Sequence, residues 1–522
     1  MTDTEISVFH FDLWNEPWIG LEKEGGGIER LGIGQALLRA HEFGGIYELS
    51  PLIVVGIHRL LTAILQDMYS PKADKDLKLL WAVRQIPEED VLEFARNYGD
   101  RFDLFSPEYP FYQSADVSPV PVKGENIKSI ANLLPDIPSG TEHTHYRHGV
   151  QAEQVFCPVC AAGGIVALPA FSTSGGAGIK PSINGVPPLY VIPTGGNLLE
   201  SLLLSLVIPN YQPSARAVDG DLAWWKREPL IPRSSEVVSV GYLHSLTFQP
   251  RRVRLYPEVL DGSCSRCGQP IKFGIRKMIF DMGESRPKDA PAWFDPFAAY
   301  KVRDKKPPIP IRPVEGKAAW REYSNLFLKK PEDETPRKEK TIRPSVLDQI
   351  SDLREGDTGA VSLRCVGLRT DMKAKVFEWV DTGFEVPGSL LRDEVAGFQI
   401  DKGIQFASSC ASTIASVFRK TFGGSGKDAA RYTQLKTAMM DDYWRGLALP
   451  FRKLVTTIST TQNYDEPFAE WVDQVTRVAE RCFNNAAAAI GDEGKHLRKR
   501  YNGERLCRIY LLSAKKKELN NE

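Results

Sequence analysis

The chain has no net charge to offer a partner: 66 Lys+Arg stand against 66 Asp+Glu over 522 residues. That balance excludes a globally basic nucleic-acid coat, so any phosphate must be met by local patches. The start, Met1-Thr2-Asp3-Thr4-Glu5, has neither the basic opening nor the apolar run of a signal peptide. The apolar stretch Leu198 to Ile208 includes Glu200 and is far short of a membrane span. A cytoplasmic protein with no membrane partner is the expectation. There is no internal repeat, and no nucleophile–base–orienter set stands out. Cysteine is scarce: of eight, Cys365, Cys410, Cys482 and Cys507 stand alone and read as small core residues in a reducing compartment.

The other four cysteines are paired, and they organise the middle of the chain. Cys157-Pro158-Val159-Cys160 and Cys264-Ser265-Arg266-Cys267 are two Cys-x-x-Cys knuckles. Each short loop presents two thiolates on one side of an ion, so together they make a closed tetrahedral zinc site, a staple and not a catalyst. Shortly after the first knuckle comes Ser174-Gly175-Gly176-Ala177-Gly178, with Lys180 beyond. No Gly-Lys-Ser/Thr follows and no strand-to-helix Gly-x-Gly-x-x-Gly context is present, which argues against nucleotide binding. Glycine still lets bare backbone approach a groove or a phosphate.

Periodicity divides the rest. Pro51 to Met68 reads as an amphipathic helix, with Pro51 in its first turn. Another helix is expected over Pro87–Asn97, a buried one over Leu198–Ile208, and strands over Gly241–Tyr256. Lys301–Lys340 reads as loop-rich. After Pro387 prolines thin out and four helices are expected near 390–422, 427–460, 465–490 and 493–517. The fold class is therefore α+β: a large mixed domain, 1–387, carrying the zinc knuckles, and a C-terminal four-helix bundle, 388–522. Arg251, Arg252, Arg254, Arg276, Lys277, Lys373 and Lys375 are the candidates for phosphate contact.

Taken in order, several segments resemble one family. They are Asn15-Glu16-Pro17-Trp18-Ile19, Arg101-Phe102-Asp103-Leu104-Phe105, Pro110-Phe111-Tyr112-Gln113, the first knuckle with its glycine loop, Gly241-Tyr242-Leu243, Gln249-Pro250-Arg251-Arg252, the second knuckle, and Gly367-Leu368-Arg369-Thr370-Asp371. The set resembles the large subunit, CasA or Cse1, of the type I-E CRISPR surveillance complex Cascade. The resemblance implies a non-catalytic subunit that reads the protospacer-adjacent motif (PAM) from the minor groove and opens the duplex for R-loop formation. It also implies recruitment of a helicase-nuclease. The implied partners are the other Cascade subunits, the 5′ handle of the crRNA, double-stranded target DNA and its displaced strand. On this sequence the family's PAM loop falls on Ser174, Gly175, Gly176, Ala177, Gly178 and Lys180, and its basic finger on Arg276 or Lys277. Its wedge falls on Asp371, Met372 and Lys373, with methionine where the best-known members carry glutamine; an apolar wedge can also part base pairs. The guide-RNA-proximal loop falls on Tyr146, Arg147 and His148, with Tyr146 suited to stacking.

Two other readings stand beside this one. A zinc-dependent nucleic-acid-processing enzyme would place the histidine cluster His143, His145 and His148 near a metal with an open ligand position. A zinc-stapled scaffold would use none of the basic residues.

Overall fold

Helix α1 (Pro51–Tyr69) begins with proline in its first turn, where the missing N–H costs no hydrogen bond. The amphipathic reading of this stretch fails: α1 is buried on every side from Pro51 to Gln66. Three of its buried polar residues find partners distant in sequence. Arg59 pairs with buried Asp295 at 3.1 Å, His58 Nε2 meets Ser205 Oγ at 2.8 Å, and Gln66 exchanges two hydrogen bonds with the Val207 backbone. Burial, with the nearby Arg59 charge, pushes the His58 imidazole down to about 3 and keeps it neutral. Among the described residues α1 is the one helix long and apolar enough to cross a membrane, but most of it is enclosed by protein.

The computed structural model describes residues 9–134, 153–173, 182–183, 185–213, 221–231, 240–287, 292–304, 306–314, 317–329, 339–354, 359–370, 376–423, 429–491 and 494–520. Two units emerge. The first comprises Met1–Val314, Lys338–Glu355 and Val361–Glu385; the second comprises Glu315–Arg337, Gly356–Ala360 and Val386–Glu522. Compared with the expected division at 387/388, the second unit also takes in two earlier segments of the chain.

Among the described residues the first unit mixes helices with four three-stranded sheets. Strands β1 (Ile19–Lys23), β2 (Ile28–Leu31) and β3 (Phe43–Ile46) form one, in the order β2-β1-β3, and β1 turns into β2 through Gly25-Gly26-Gly27, all at positive φ. The second contains β4 (Ile127–Ser129), β6 (Arg251–Ser263) and β7 (Pro270–Met282) in the order β4-β7-β6, and β6–β7 is its long hairpin. In the third, β5 (Tyr190–Thr194) pairs antiparallel with β11 (Val361–Thr370), and β12 (Val376–Val386) lies on the other side. Strands β8 (Tyr300–Arg303), β9 (Lys306–Pro310) and β10 (Glu339–Ile342) complete the set. They lie in the stretch read as loop-rich. Strands were also expected throughout 241–256, but Tyr242–Leu246 is a short helix capped by Asp221, whose carboxylate accepts from the Leu243 and His244 amides.

Helix α2 (Pro158–Phe171) packs on α1 at backbone contact. A Cβ on Gly56 would lie 2.6 Å from Val166 O, and one on Gly164 would lie 2.7 Å from Leu133 Cγ. Glycine is tolerated in both helices, despite its entropic cost, because nothing larger fits.

At the open end of the β6–β7 hairpin, Glu284 is buried and accepts from Arg227 Nη1 (2.7 Å) and the Gln249 amide (2.7 Å), with His244 Nε2 at 3.1 Å. Burial pushes its pKa upward, but His244, Arg227 and the Gln249 amide prevail and hold it at about 2.

In the second unit four long helices pack together: α3 (Glu394–Phe422), α4 (Ala429–Thr460), α5 (Asp465–Ala488) and α6 (Gly494–Leu519). Helix α3 touches the other three, and α5 touches both α4 and α6. Asp393 caps α3 by accepting from the Ala396 amide at 2.8 Å. Residues Ile400, Ile404, Ala407, Cys410, Ala411, Ile414 and Val417 give α3 its buried stripe at helical spacing. Cys410, Cys482 and Cys507 lie in the core of this unit and Cys365 in that of the first.

Two measurements test this packing. Gly56→Ala should lower stability to denaturant by about 1–3 kcal/mol, because the obstructing atom is backbone, while Gly99→Ala, whose Cβ would meet nothing nearer than 4.0 Å, should be nearly neutral. A carboxylate with a depressed pKa stabilises fully above its unfolded value, near 4.5, and loses that contribution as pH falls through about 2. Glu284→Gln should therefore lower the melting temperature at pH 7, and the gap from wild type should close as the pH is taken below 4.5.

Candidate metal centre and the loop root beside it

The first knuckle is the start of α2. Cys157 is its N-cap in extended conformation, and its sulfur accepts from the Cys160 amide at 3.4 Å. The second knuckle is the closed end of the β6–β7 hairpin. There the Cys264 amide donates to Gln269 O (2.8 Å), the Gly268 amide donates to Cys264 O (2.9 Å), and Gly268 takes the positive φ of +73° that the turn requires.

Backbone bonds hold the knuckles against each other. Phe156 and Ile275 exchange hydrogen bonds of 3.0 and 2.9 Å, the Ser265 amide donates to Val155 O at 2.8 Å, and the Cys157 amide donates to Cys264 Sγ at 3.3 Å. All four sulfurs consequently lie within 4.8 Å of one another, with Cys157 Sγ and Cys267 Sγ 3.8 Å apart. Tetrahedral thiolate coordination at a metal–sulfur distance of about 2.3 Å requires sulfur–sulfur edges of about 3.8 Å. Cys157, Cys160 and Cys264 are buried, whereas Cys267 is partly open. Hydrogen bonds from Cys157 and Cys160 hold the Cys264 sulfur well below the usual thiol range, while Cys157 and Cys264 push Cys160 well above it. Cysteine binds metal as thiolate. The donor set fits a closed four-sulfur metal site.

The other end of α2 is the root of the glycine-rich stretch. Ser172 Oγ donates to Leu168 O at 2.8 Å, Ser182 Oγ donates to Pro169 O, and the Ser182 amide donates to Ser172 O at 3.2 Å. Residues 174–181 lie outside the described residues, and with them Ser174, Gly175, Gly176, Ala177, Gly178 and Lys180. The same holds for Asp371, Met372, Lys373 and Lys375, and for His143, His145, Tyr146, Arg147 and His148. The strands flanking 371–375 are described, and ion pairs Arg364–Asp381 and Arg369–Glu378 join them.

The basic run at 251–254 is a correction. Arg251, Arg252 and Arg254 are 2%, 7% and 4% exposed, so none can meet a phosphate from solvent. Arg252 donates to Ile231 O (2.6 Å), Ser114 Oγ (3.1 Å) and Asp116 (2.9 Å); Arg251 donates to Pro250 O and Thr173 O. Burial alone pushes the Arg251 guanidinium down to about 10, still a cation at neutral pH. Of the two finger candidates, Arg276 is paired with Glu258 at 3.0 Å and Glu153 at 3.6 Å, whereas Lys277 is exposed on β7. Lys272, also exposed on β7 and closer to the second knuckle, is a candidate that sequence reasoning passed over, although its position after Cys267 was signal enough.

The model of the family described as CRISPR-associated protein Cse1 matches residues 12–482. The chain is similar to CRISPR-associated protein CasA/Cse1 of Thermus thermophilus, 28% identical, with 95% of this chain and 96% of that protein covered. It superposes on the crystal structure of Thermobifida fusca Cse1 with a TM-score of 0.78 at 22% identity, covering 100% of this chain and 99% of that one. A chain of a structure titled CRISPR RNA-guided surveillance complex gives a TM-score of 0.72 at 16% identity, covering 96% and 99%.

Titrating the reduced protein with cobalt(II) should give one equivalent of tetrahedral thiolate-to-metal absorption, lost in Cys160→Ser and kept in Cys410→Ser. A spectrum without thiolate bands would remove the metal centre.

Proposed function

The chain belongs to the CRISPR-associated Cse1 (CasA) family, and from that premise we propose that it is the non-catalytic large subunit of a type I-E Cascade complex. In this reading it recognises the PAM in duplex DNA, helps open the duplex into the R-loop, and recruits the helicase-nuclease. The observation that carries it is the placement of α2, which begins at the four-cysteine centre and ends at the root of the glycine loop. A helix of this length is a strut of about 21 Å. Zinc in the Cys157–Cys160–Cys264–Cys267 site is structural: it fixes the start of that strut and the hairpin end against it.

Backbone of Ser174–Gly178, with Lys180, lies against base edges in the minor groove, where the code is degenerate and side chains would obstruct. Lys277 supplies the basic finger, since the carboxylates of Glu258 and Glu153 already neutralise Arg276. Met372, between Asp371 and Lys373, separates base pairs from the segment joining β11 to β12. Tyr146, Arg147 and His148 meet the crRNA 5′ handle. The four packed helices, a four-helix bundle over 388–522, serve the remaining Cascade subunits and the displaced strand. Base pairing with the guide then reads the rest of the target, so the protein needs only a short motif and no chemistry of its own. The work is cytoplasmic and involves no membrane. A zinc enzyme would need an open ligand position, and four sulfurs within 4.8 Å of one another already supply a full tetrahedron.

Target binding by the reconstituted complex across a library randomised beside the protospacer tests this reading. Binding should require the subunit and select a short motif, and Gly176→Asp or Met372→Ala should relax the selection. Selection that survives removal of this chain would leave only a metal-stapled scaffold.

A further inference from the structure

We infer that Arg251 is a positioning residue for the glycine loop, setting its motif selectivity from the protein interior without touching DNA. The inference rests on the reading of residues 174–181 as the motif reader, and it concerns how that reader is held.

The last turn of α2 has no glycine cap, so its terminal carbonyls need partners from elsewhere. Each finds one. Leu168 O accepts from the Ser172 hydroxyl, Pro169 O from the Ser182 hydroxyl, and Ala170 O from Tyr190 Oη at 3.2 Å. Ser172 O accepts from the Ser182 amide, which closes the two ends of the loop on each other. Thr173 O, the last described carbonyl before the glycines, accepts from Arg251 Nη2. Thr173 adjoins the glycine-rich stretch in sequence, and a buried guanidinium holds its carbonyl.

Arg251 is itself rigidly placed. Its Nη1 donates to Pro250 O at 2.7 Å, and its backbone pairs with Met282 at the open end of the β6–β7 hairpin. The Gln249 amide is bound by Glu284, and the Gly283 amide donates to Pro250 O at 3.1 Å. A Cβ on Gly283 would lie 2.4 Å from Gln249 O, so the two chains run at backbone contact there. Burying a guanidinium carries a desolvation penalty that a methionine of similar volume would not. What the guanidinium adds is a planar fork that reaches two carbonyls in fixed directions. Its 2% exposure leaves no surface for a phosphate.

The test uses the reconstituted complex, the randomised library, and binding measured over a range of salt. Arg251→Gln should lower the ratio of preferred to disfavoured motifs on the order of tenfold. Arg251→Lys, which keeps one donor, should lose less. In both, the slope of log affinity against log salt should stay at the wild-type value, because no phosphate contact is removed. Should Arg251→Gln fail to assemble, Arg251→Lys and Ser182→Ala probe the same root. Unchanged selection in all of them would overturn the inference. So would a uniform loss across motifs with the slope reduced by about 0.9, which would make Arg251 a phosphate contact after all. Gly176→Asp is the internal control: if it too leaves selection intact, the loop is not the reader, and the functional reading fails before the positioning role is reached.

Discussion

The constraint on which the rest depends is that α2 and the β6–β7 hairpin are fastened to each other twice. At one end four cysteine sulfurs and the Val155–Ser265 and Phe156–Ile275 bonds join helix start to hairpin turn. At the other, Arg251 at the hairpin's base holds Thr173 just past the helix end. Between the fastenings the hairpin carries register shifts at Tyr256/Pro257 and Val259/Gly262, places where bulges bend and twist a ribbon. Helix α1 seals the far side through Gly56, close enough that its backbone lies against that of Val166.

How much of this was legible in the sequence follows from the range of the interactions. The clustering of the four cysteines was legible because two short Cys-x-x-Cys spacings imply it by themselves, and the four C-terminal helices because their apolar residues recur at helical spacing. The argue-by-composition reading of Arg251, Arg252 and Arg254 failed for a physical reason: arginine is usually exposed, and the groups that make burial tolerable here, Asp116, Thr173 and Ile231, are far away in sequence. The same holds for α1. Its His58, Arg59 and Gln66 look like a solvent face until Ser205, Asp295 and Val207 are brought beside them. Arg276 and Lys277 are adjacent and equal in sequence; only the carboxylates of Glu258 and Glu153 tell them apart.

The second unit follows simpler rules. Helix α6 buries Gly503, Cys507 and Leu511, one residue per turn, and adds ion pairs from Arg508 to Glu480, Lys515 to Asp473 and Glu518 to Lys402, while Arg505, Ile509 and Leu512 are exposed. Helix α3 carries a buried stripe along its length and, like α5, contacts all three partners. Stability in this unit therefore centres on α3 and α5, each of which packs against the other three helices.

The separation of the two knuckles has a consequence in time. Cys157 and Cys264 are 107 positions apart. At a synthesis rate of 5–20 residues per second, the first knuckle waits about 5–20 s on the ribosome before the second emerges. For that interval two thiols stand open to oxidants or to a wrong metal, and the helix that starts from them has α1 to pack on but not the hairpin. Maturation of this chain thus includes an interval in which elongation competes with adventitious chemistry at sulfur, before the hairpin closes on α2.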